Sequence, residues 1–326
     1  MDNIHFPYRS SRHLALLHVI AESGSWEKHG LRVEYDYHIT SEDAHKAVAE
    51  GSIEFVGGNH LSPYAARSRG DRWVYVGQTQ NVYPLKLIVR EDSGIDSIAD
   101  LRGKVIKLNG EHPDPSWPHP SFSLWLLLKQ HGLDTERGDV DVKQPKGGGK
   151  AGPSVQAVVD GEIDADFVTA PADLRARRLG LKVIDLDPLP MIEFTTLSTS
   201  QGFVERHPDI VEKFVKGVIE GTAFFKTHRA EAIDIMRTKY HDRGTLDEGE
   251  ADQLYDELAP TLEAKPYPRM GALENCYTLA VKKDPAAAQV DPILFWDTQF
   301  VRRLDDAGFI DSLYDAAPAE TSKTAR

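Results

Sequence analysis

The chain has 326 residues, 40% hydrophobic and 27% charged, with 51 acidic against 38 basic side chains and a net charge of −13. That length suits two lobes around a sizeable core, and the composition is that of an ordinary globular protein. The acidic balance argues against a nucleic-acid partner, since a phosphate backbone needs a basic surface, while a few buried cations can still hold one small anion.

Cys276 is the single cysteine, so no intrachain disulfide forms, and no nucleophile signature surrounds it. The opening MDNIHFPYRSSRH lacks the basic start and apolar stretch of a secretory leader. No run approaches the roughly 18 apolar residues of a membrane span. A cytoplasmic location is the expectation, or a periplasmic one if a leader has been removed.

Asn3 to Pro7 reads as a strand, followed by a helix carrying Leu14, Leu17, Ile20 and Ala21 and closed at Gly24. Leu31 to Tyr37 alternates like a strand. Ser41-Glu42-Asp43 opens a helix that Gly51 stops. Ile53 to Val56 is a short buried strand, Pro63 to Arg69 a helix, and Trp73 to Gly77 and Leu85 to Val89 are strand-like. The β-α-β-α order implies a mostly parallel sheet covered by helices.

Further on, Val105 to Leu108 is a strand, and EHPDPSWPHPS carries too many prolines for a continuous helix. A helix over Phe122 to Leu128 ends near Gly132. Strands follow at Val140 to Lys143, Ile163 to Val168 and Lys182 to Asp185, with a helix opening at Val155. After Phe203 the pattern is helical to about residue 315, and AAPAETSKTAR reads as a flexible tail over 316–326.

IADLRGKVIKLNG, VQAVVDGEIDADFV and FVERHPDIVEKFVKGVIEGTAFF, in this order and spacing, resemble motifs of the periplasmic-binding-protein-like family. The branch is the nitrate/sulfonate/taurine and thiamine-pyrimidine-precursor type, and the resemblance covers roughly residues 3 to 310. It implies a two-lobed type II α/β fold with an interlobe cleft that closes by hinge motion. Lobe 1 would comprise 1–90 and 196–315, and lobe 2 would comprise 91–195. The crossings would lie near Val89 to Asp92 and near Phe194 to Thr199.

The family includes cytoplasmic enzymes such as the hydroxybiphenyl sulfinate desulfinase. Counting along the chain puts Ser11 where that enzyme's nucleophilic Cys falls, His45 near its catalytic His and Phe55 at its Arg position. Two of the three residue types are absent there. The iron motif of the thiamine-pyrimidine synthases needs more cysteines than this chain has.

Ligand contacts in such a fold come from strand ends and helix N-termini. The first candidate loop holds Ser10, Ser11, Arg12 and His13, where Ser10 or Ser11 can cap a helix and Arg12 can grip an acid group. The second is Gly57-Gly58-Asn59-His60. Its paired glycines let backbone approach a ligand, Asn59 or Ser62 can cap the next helix, and His60 can move a proton.

The third loop holds Asn109, His112 and Trp117, with His112 a second proton-transfer candidate and Trp117 an aromatic wall. His112 and His119 do not have a metal spacing, and no metal or cofactor is expected. KGGGKAGPS misses the Walker spacing and reads as a loop. Thr169 in the second lobe and Phe194 at the return crossing complete the ligand-binding set. The sequence shows no Ser/His/Asp triad, G-x-S-x-G elbow or HExxH motif.

The resulting expectation is a cytoplasmic enzyme on a solute-binding scaffold. It would take a small anionic, aromatic substrate and act as a cofactor-independent, decarboxylase-like lyase, with His60, Arg12 and His112 as catalytic residues. The alternative is the substrate-binding protein of an ABC-type importer for a nitrate-, sulfonate- or aromatic-acid-like solute, with a permease as partner.

Overall fold

The computed structural model describes residues 1–108, 121–145, 154–240 and 245–315. The chain opens with β1 (Asp2–His5), α1 (Leu14–Glu22), β2 (Leu31–Glu34), α2 (Ser41–Glu50), β3 (Val56–Gly57) and α3 (Ser62–Ser68). The long β4 (Trp73–Tyr83) leads into a second group. That group is β5 (Lys86–Arg90), β6 (Val105–Lys107), α4 (Phe122–Gln130), β7 (Asp141–Lys143), α5 (Ser154–Val159), β8 (Ala165–Val168), α6 (Ala172–Arg178) and β9 (Leu181–Asp185). The return strand is β10 (Leu189–Ser200). Helices α7 (Gln201–Arg206), α8 (Pro208–Thr227), α9 (Arg229–Lys239), α10 (Glu248–Thr261), α11 (Met270–Lys283), α12 (Gln299–Asp306) and α13 (Phe309–Asp315) follow.

Local chemistry explains many of these ends. The Thr40 hydroxyl accepts the Asp43 N–H at 3.1 Å to start α2, and Gly51, at φ 71°, closes it in the left-handed region. Ser121 caps α4 in the same way, and Asp247 with Glu250 forms a capping box on α10.

β1 pairs parallel with β2, and backbone bonds from Phe55 to His5 and from Gly57 to Pro7 join it to β3. β10 then runs antiparallel between β3 and β4. The second sheet has the order β7-β6-β8-β5-β9. Both sheets are therefore mixed rather than mostly parallel, because the crossing strands β5 and β10 run against their neighbours. Strand pairing also moves the crossings. β5 already belongs to the second sheet, so the chain passes over between Tyr83 and Lys86, ahead of Val89 to Asp92. It has returned by Leu189, ahead of Phe194 to Thr199.

The first sheet packs against α1 and α8 through Phe55, which stacks on Phe214 with ring centroids 3.8 Å apart. α8 comes so close that a Cβ at Gly217 would lie 2.4 Å from Trp26, and one at Gly221 2.6 Å from Ile20. A second apolar cluster runs from Trp73 and Tyr75 of β4 through Leu87 and Val89 of β5 to Cys276 of α11. It ties the two sheets together at the crossing. Burial raises the Cys276 thiol pKa, which keeps it an inert core residue. Among the described residues no helix is long and apolar enough to cross a membrane.

Candidate functional site

A cavity of about 250 Å³ lies between the two sheets. Of the residues expected from sequence, Arg12, Thr169 and Phe194 line it. His13, Gly57, Gly58, Asn59 and His60 are not in its wall. Asn109, His112 and Trp117 lie outside the described residues, as does the glycine-rich loop at 146–153.

Arg12 sits on a 3-10 turn, Ser11–His13, whose start Ser10 caps by accepting the Arg12 N–H at 3.4 Å. The guanidinium lies 5.1 Å from the centre of the Tyr83 ring and donates to the Tyr83 hydroxyl at 3.4 Å. Burial opposes its charge, but Tyr83, Glu193 and Tyr240 together outweigh that, and its pKa lies above the ordinary arginine value. Among the described residues Arg12 forms no ion pair. It is therefore a charged donor in the cavity wall with hydrogen-bonding capacity left over.

Phe194 holds φ at +60°, a left-handed conformation that is an outlier for a bulky residue. β10 slips register just before it, between Pro190 and Glu193, and again across it, between Glu193 and Thr196. Buried polar residues of β4 hold that irregular stretch. The Gln78 amide donates to the Glu193 carbonyl at 2.7 Å and to the Gln80 carbonyl, and the Thr79 hydroxyl donates to the Thr195 carbonyl at 2.7 Å. The polar run Gln78-Thr79-Gln80-Asn81, which sequence reasoning left out of the strand, is thus buried and fixes Phe194 against the cavity.

Behind Phe194 lies a layer of imidazoles. The His13 ring centre is 5.6 Å from that of Phe194, and its Nδ1 is buried without a partner. A Cβ at Gly57 would lie 3.2 Å from His13, and one at Gly58 3.0 Å from it, with Arg9 also close. The glycine pair thus makes room for His13 and Arg9, not for a ligand. Burial, helped by His60, Arg12 and Arg9, holds the His13 pKa well below the ordinary value.

The His60 Nε2 is likewise buried without a partner. Burial lowers its pKa, against the opposing pull of Glu193 and the Phe194 backbone. Both rings are neutral near pH 7.

Neither Asn59 nor Ser62 caps α3, whose N-cap is Leu61 with no side-chain bond. The two side chains bond to each other and to Ser41 and His45 instead. A Ser–His–Asp chain, absent as a sequence motif, is assembled there in space. His45, which counting placed near the desulfinase's catalytic His, is not in the cavity wall, and Phe55 is core.

The opposite wall comes from the second sheet and α10. Thr169 precedes the cis Ala170-Pro171 bond. Arg175 of α6 and Glu257 of α10 also face the cavity. Arg175 binds Glu250 through two bonds, at 2.6 and 2.9 Å. Lys86 reaches Asp173 at 2.5 Å and Glu257 at 3.0 Å. Burial raises the Glu257 pKa against the pull of the Ala170 N–H and Lys86. Sequence reasoning missed Tyr83, Lys107, Arg175 and Glu257. Only the Tyr83-Pro84 pair, at the end of a strand, offered a signal.

Residues 12–232 match the NMT1/THI5-like family. This chain belongs to that family. It is 20% identical over 223 residues to the riboflavin-binding protein RibY of Chloroflexus aurantiacus, covering 67% of this chain. The chain spans 60% of the length of that curated relative.

Among solved structures, the periplasmic aliphatic sulphonate-binding protein SsuA of Escherichia coli superposes with a TM-score of 0.65 at 17% identity, covering 86% of each chain. The desulfurization enzyme DszB, in complex with biphenyl-2-sulfinic acid, gives 0.61 at 14% identity over 94% of this chain and 99% of that one. These likenesses establish the two-lobed periplasmic-binding-protein fold of the family member described here.

Proposed function

We propose that this protein binds a small organic anion, of the sulfonate or carboxylate kind, between its lobes as the ligand-binding component of an importer. The observation that carries this reading is Arg12. It lines the cavity, keeps its charge, touches only Tyr83 as a hydrogen-bond partner and forms no ion pair among the described residues. An acid group seated there would gain a charge-assisted, two-pronged contact. Phe194 and Tyr83 line the same cavity and supply flat apolar faces to it. The family membership and the sulphonate-binding structural neighbours support the same reading.

The test is calorimetric titration with an arenesulfonate and the matching arenecarboxylate, on the unaltered protein and on Arg12→Gln. Loss of a charged hydrogen-bond partner is expected to weaken binding by about 1.5–3 kcal/mol, roughly 10- to 150-fold, with the melting temperature little changed. Equal affinity in the variant would overturn the assignment.

A second reading, turnover in the same cleft, is favoured by the two neutral imidazoles behind Phe194 with unpartnered ring nitrogens. His60 would then move a proton, and the protein would act as a cofactor-independent lyase. Mass spectrometry of the anion after incubation separates the two, because a binder returns it intact. Cytoplasmic placement belongs with this second reading and a permease partner with the first. Cell fractionation followed by immunodetection distinguishes them.

A further inference from the structure

The first lobe carries a second arrangement, outside the cavity wall, that the cleft does not use. His45 stands on α2, Ser62 is the first residue of α3, and Asp71 follows the turn that ends α3. Gly70, at φ 101°, and the bond from the Asp71 N–H to the Ala66 carbonyl at 3.1 Å turn the chain back there. The Asp71 carboxylate thereby meets His45 Nδ1 at 2.7 Å, and His45 Nε2 lies 2.9 Å from the Ser62 hydroxyl. The His45 and Asp71 side chains are 20% and 18% exposed, so their contact is sheltered from the screening that weakens a surface pair.

The hydrogen-bond partners limit where the protons can go. Asp71 can only accept, so His45 Nδ1 donates to it and Nε2 is left as an acceptor. The Ser62 oxygen lies 2.9 Å from Asn59 Oδ1 and 2.9 Å from the Ser41 hydroxyl. Ser41 also lies 2.9 Å from Asn59 Oδ1 and can satisfy that oxygen itself. The Ser62 hydroxyl donates to Asn59 Oδ1 as the side chains stand, and rotation about its C–O bond turns the same proton to Nε2 while Ser41 serves Asn59 Oδ1. Asn59 is held in place for this by the Tyr75 hydroxyl, which donates to its carbonyl at 3.1 Å. The Asn59 amide nitrogen approaches Nε2 only to 3.4 Å.

We propose that Ser62 is a base-activated nucleophile, with His45 as its base and Asp71 as the group that orients the imidazole, and that it accepts acyl groups from small activated carboxylic esters. In the step, Ser62 Oγ forms a bond to the acyl carbon and passes its proton to His45 Nε2. The bond from that carbon to the leaving oxygen breaks, and the leaving group departs with that proton as an alcohol or phenol. Water, deprotonated by the same Nε2, then releases the acid and restores Ser62. The substrate class follows from the parts present: a nucleophile, a base and an orienting carboxylate favour an ester whose leaving group departs readily. The proposal is independent of the anion site at Arg12.

The experiment treats the full chain with 4-nitrophenyl acetate and, separately, with a fluorophosphonate, and locates the adduct by peptide mass spectrometry. The expected result is an adduct on Ser62 that is absent in Ser62→Ala. His45→Gln should slow its formation by roughly 10²- to 10⁴-fold. Circular dichroism melts check that each variant is folded. On the unaltered protein, prior reaction with the fluorophosphonate should block acetylation of Ser62, and that readout needs no variant. An adduct elsewhere, no adduct, or a rate indifferent to His45→Gln would overturn the proposal. The three residues would then be a structural clasp between α2 and α3.

Discussion

The two walls of the cleft use buried polar groups in opposite ways. The Arg12 guanidinium on one wall, and His13 Nδ1 and His60 Nε2 in the layer behind Phe194, have capacity that no group among the described residues fills. On the facing wall, the charges are directed at one another. Arg175 holds Glu250, and Lys86 holds Asp173 and Glu257. α10 packs in the apolar cluster of the first lobe, and α6 packs in that of the second. These pairs therefore join the lobes along one edge of the cavity. Asp173 Oδ1 and Gln253 Oε1 also lack a hydrogen-bond partner, so the contrast lies in the charges: Arg12 forms no ion pair among the described residues, while the charged groups facing it pair with one another.

Breaking the paired wall should have the largest effect on stability. Arg175→Met leaves Glu250, whose side chain is only 6% exposed, without its two-pronged partner. The expected loss is about 1–3 kcal/mol, below the range for a fully buried pair because Arg175 is itself 33% exposed. The midpoint of urea unfolding measures it. The Arg175 bond comes first among the causes holding Glu250 below the usual glutamate value. A depressed carboxylate stabilises the fold above its unfolded pKa, and that stability is lost as pH falls through the folded one. The variant should therefore show a shallower loss of stability at acid pH. An unchanged midpoint would mean that the edge contributes nothing and that the two walls do not differ in this way.

The imidazole layer behind Phe194 gives a smaller, pH-dependent effect. His13 is buried and neutral, with its pKa held well below the ordinary value of 6.5. A histidine depressed in this way stabilises the fold above that ordinary value and loses the contribution as pH falls below it. Between pH 6.5 and 5.5 the loss should be about 1 kcal/mol. His13→Leu cannot be protonated, so its melting temperature should decline less over that interval. Parallel slopes for the two proteins would place the protonation penalty elsewhere.

The smallest effect concerns Phe194. Residues in strands ordinarily prefer Ala to Gly, but at φ +60° the order should reverse. Phe194→Gly should be more stable than Phe194→Ala by roughly 1 kcal/mol in chemical denaturation, although both lose the ring. If Ala were the better tolerated, the left-handed turn would relax on substitution, and the irregularity of β10 would be set by the ring and not by the bonds from Gln78.

The sequence by itself determined the α/β class, the ends of several helices in the first half and the family-like order of motifs. Those are local signals: Thr40 and Gly51 bound α2 through bonds within a few residues. Arg12 could be picked out as a cleft cation because its capping serine lies two residues away. Tertiary structure alone decided the rest. β10 carries Pro190 and an irregular pairing, and the far half of β4 is polar, so neither shows the alternation of a half-buried strand. Only their antiparallel pairing, which supplies Gln78 with the carbonyl of Glu193 across the sheet, makes burying them tolerable. The roles of Gly57 and Gly58 were decided by the His13 ring that fills the space they open. The meeting of His45, Ser62 and Asp71 depends on two helices and a turn packing together, and no spacing along a chain records that.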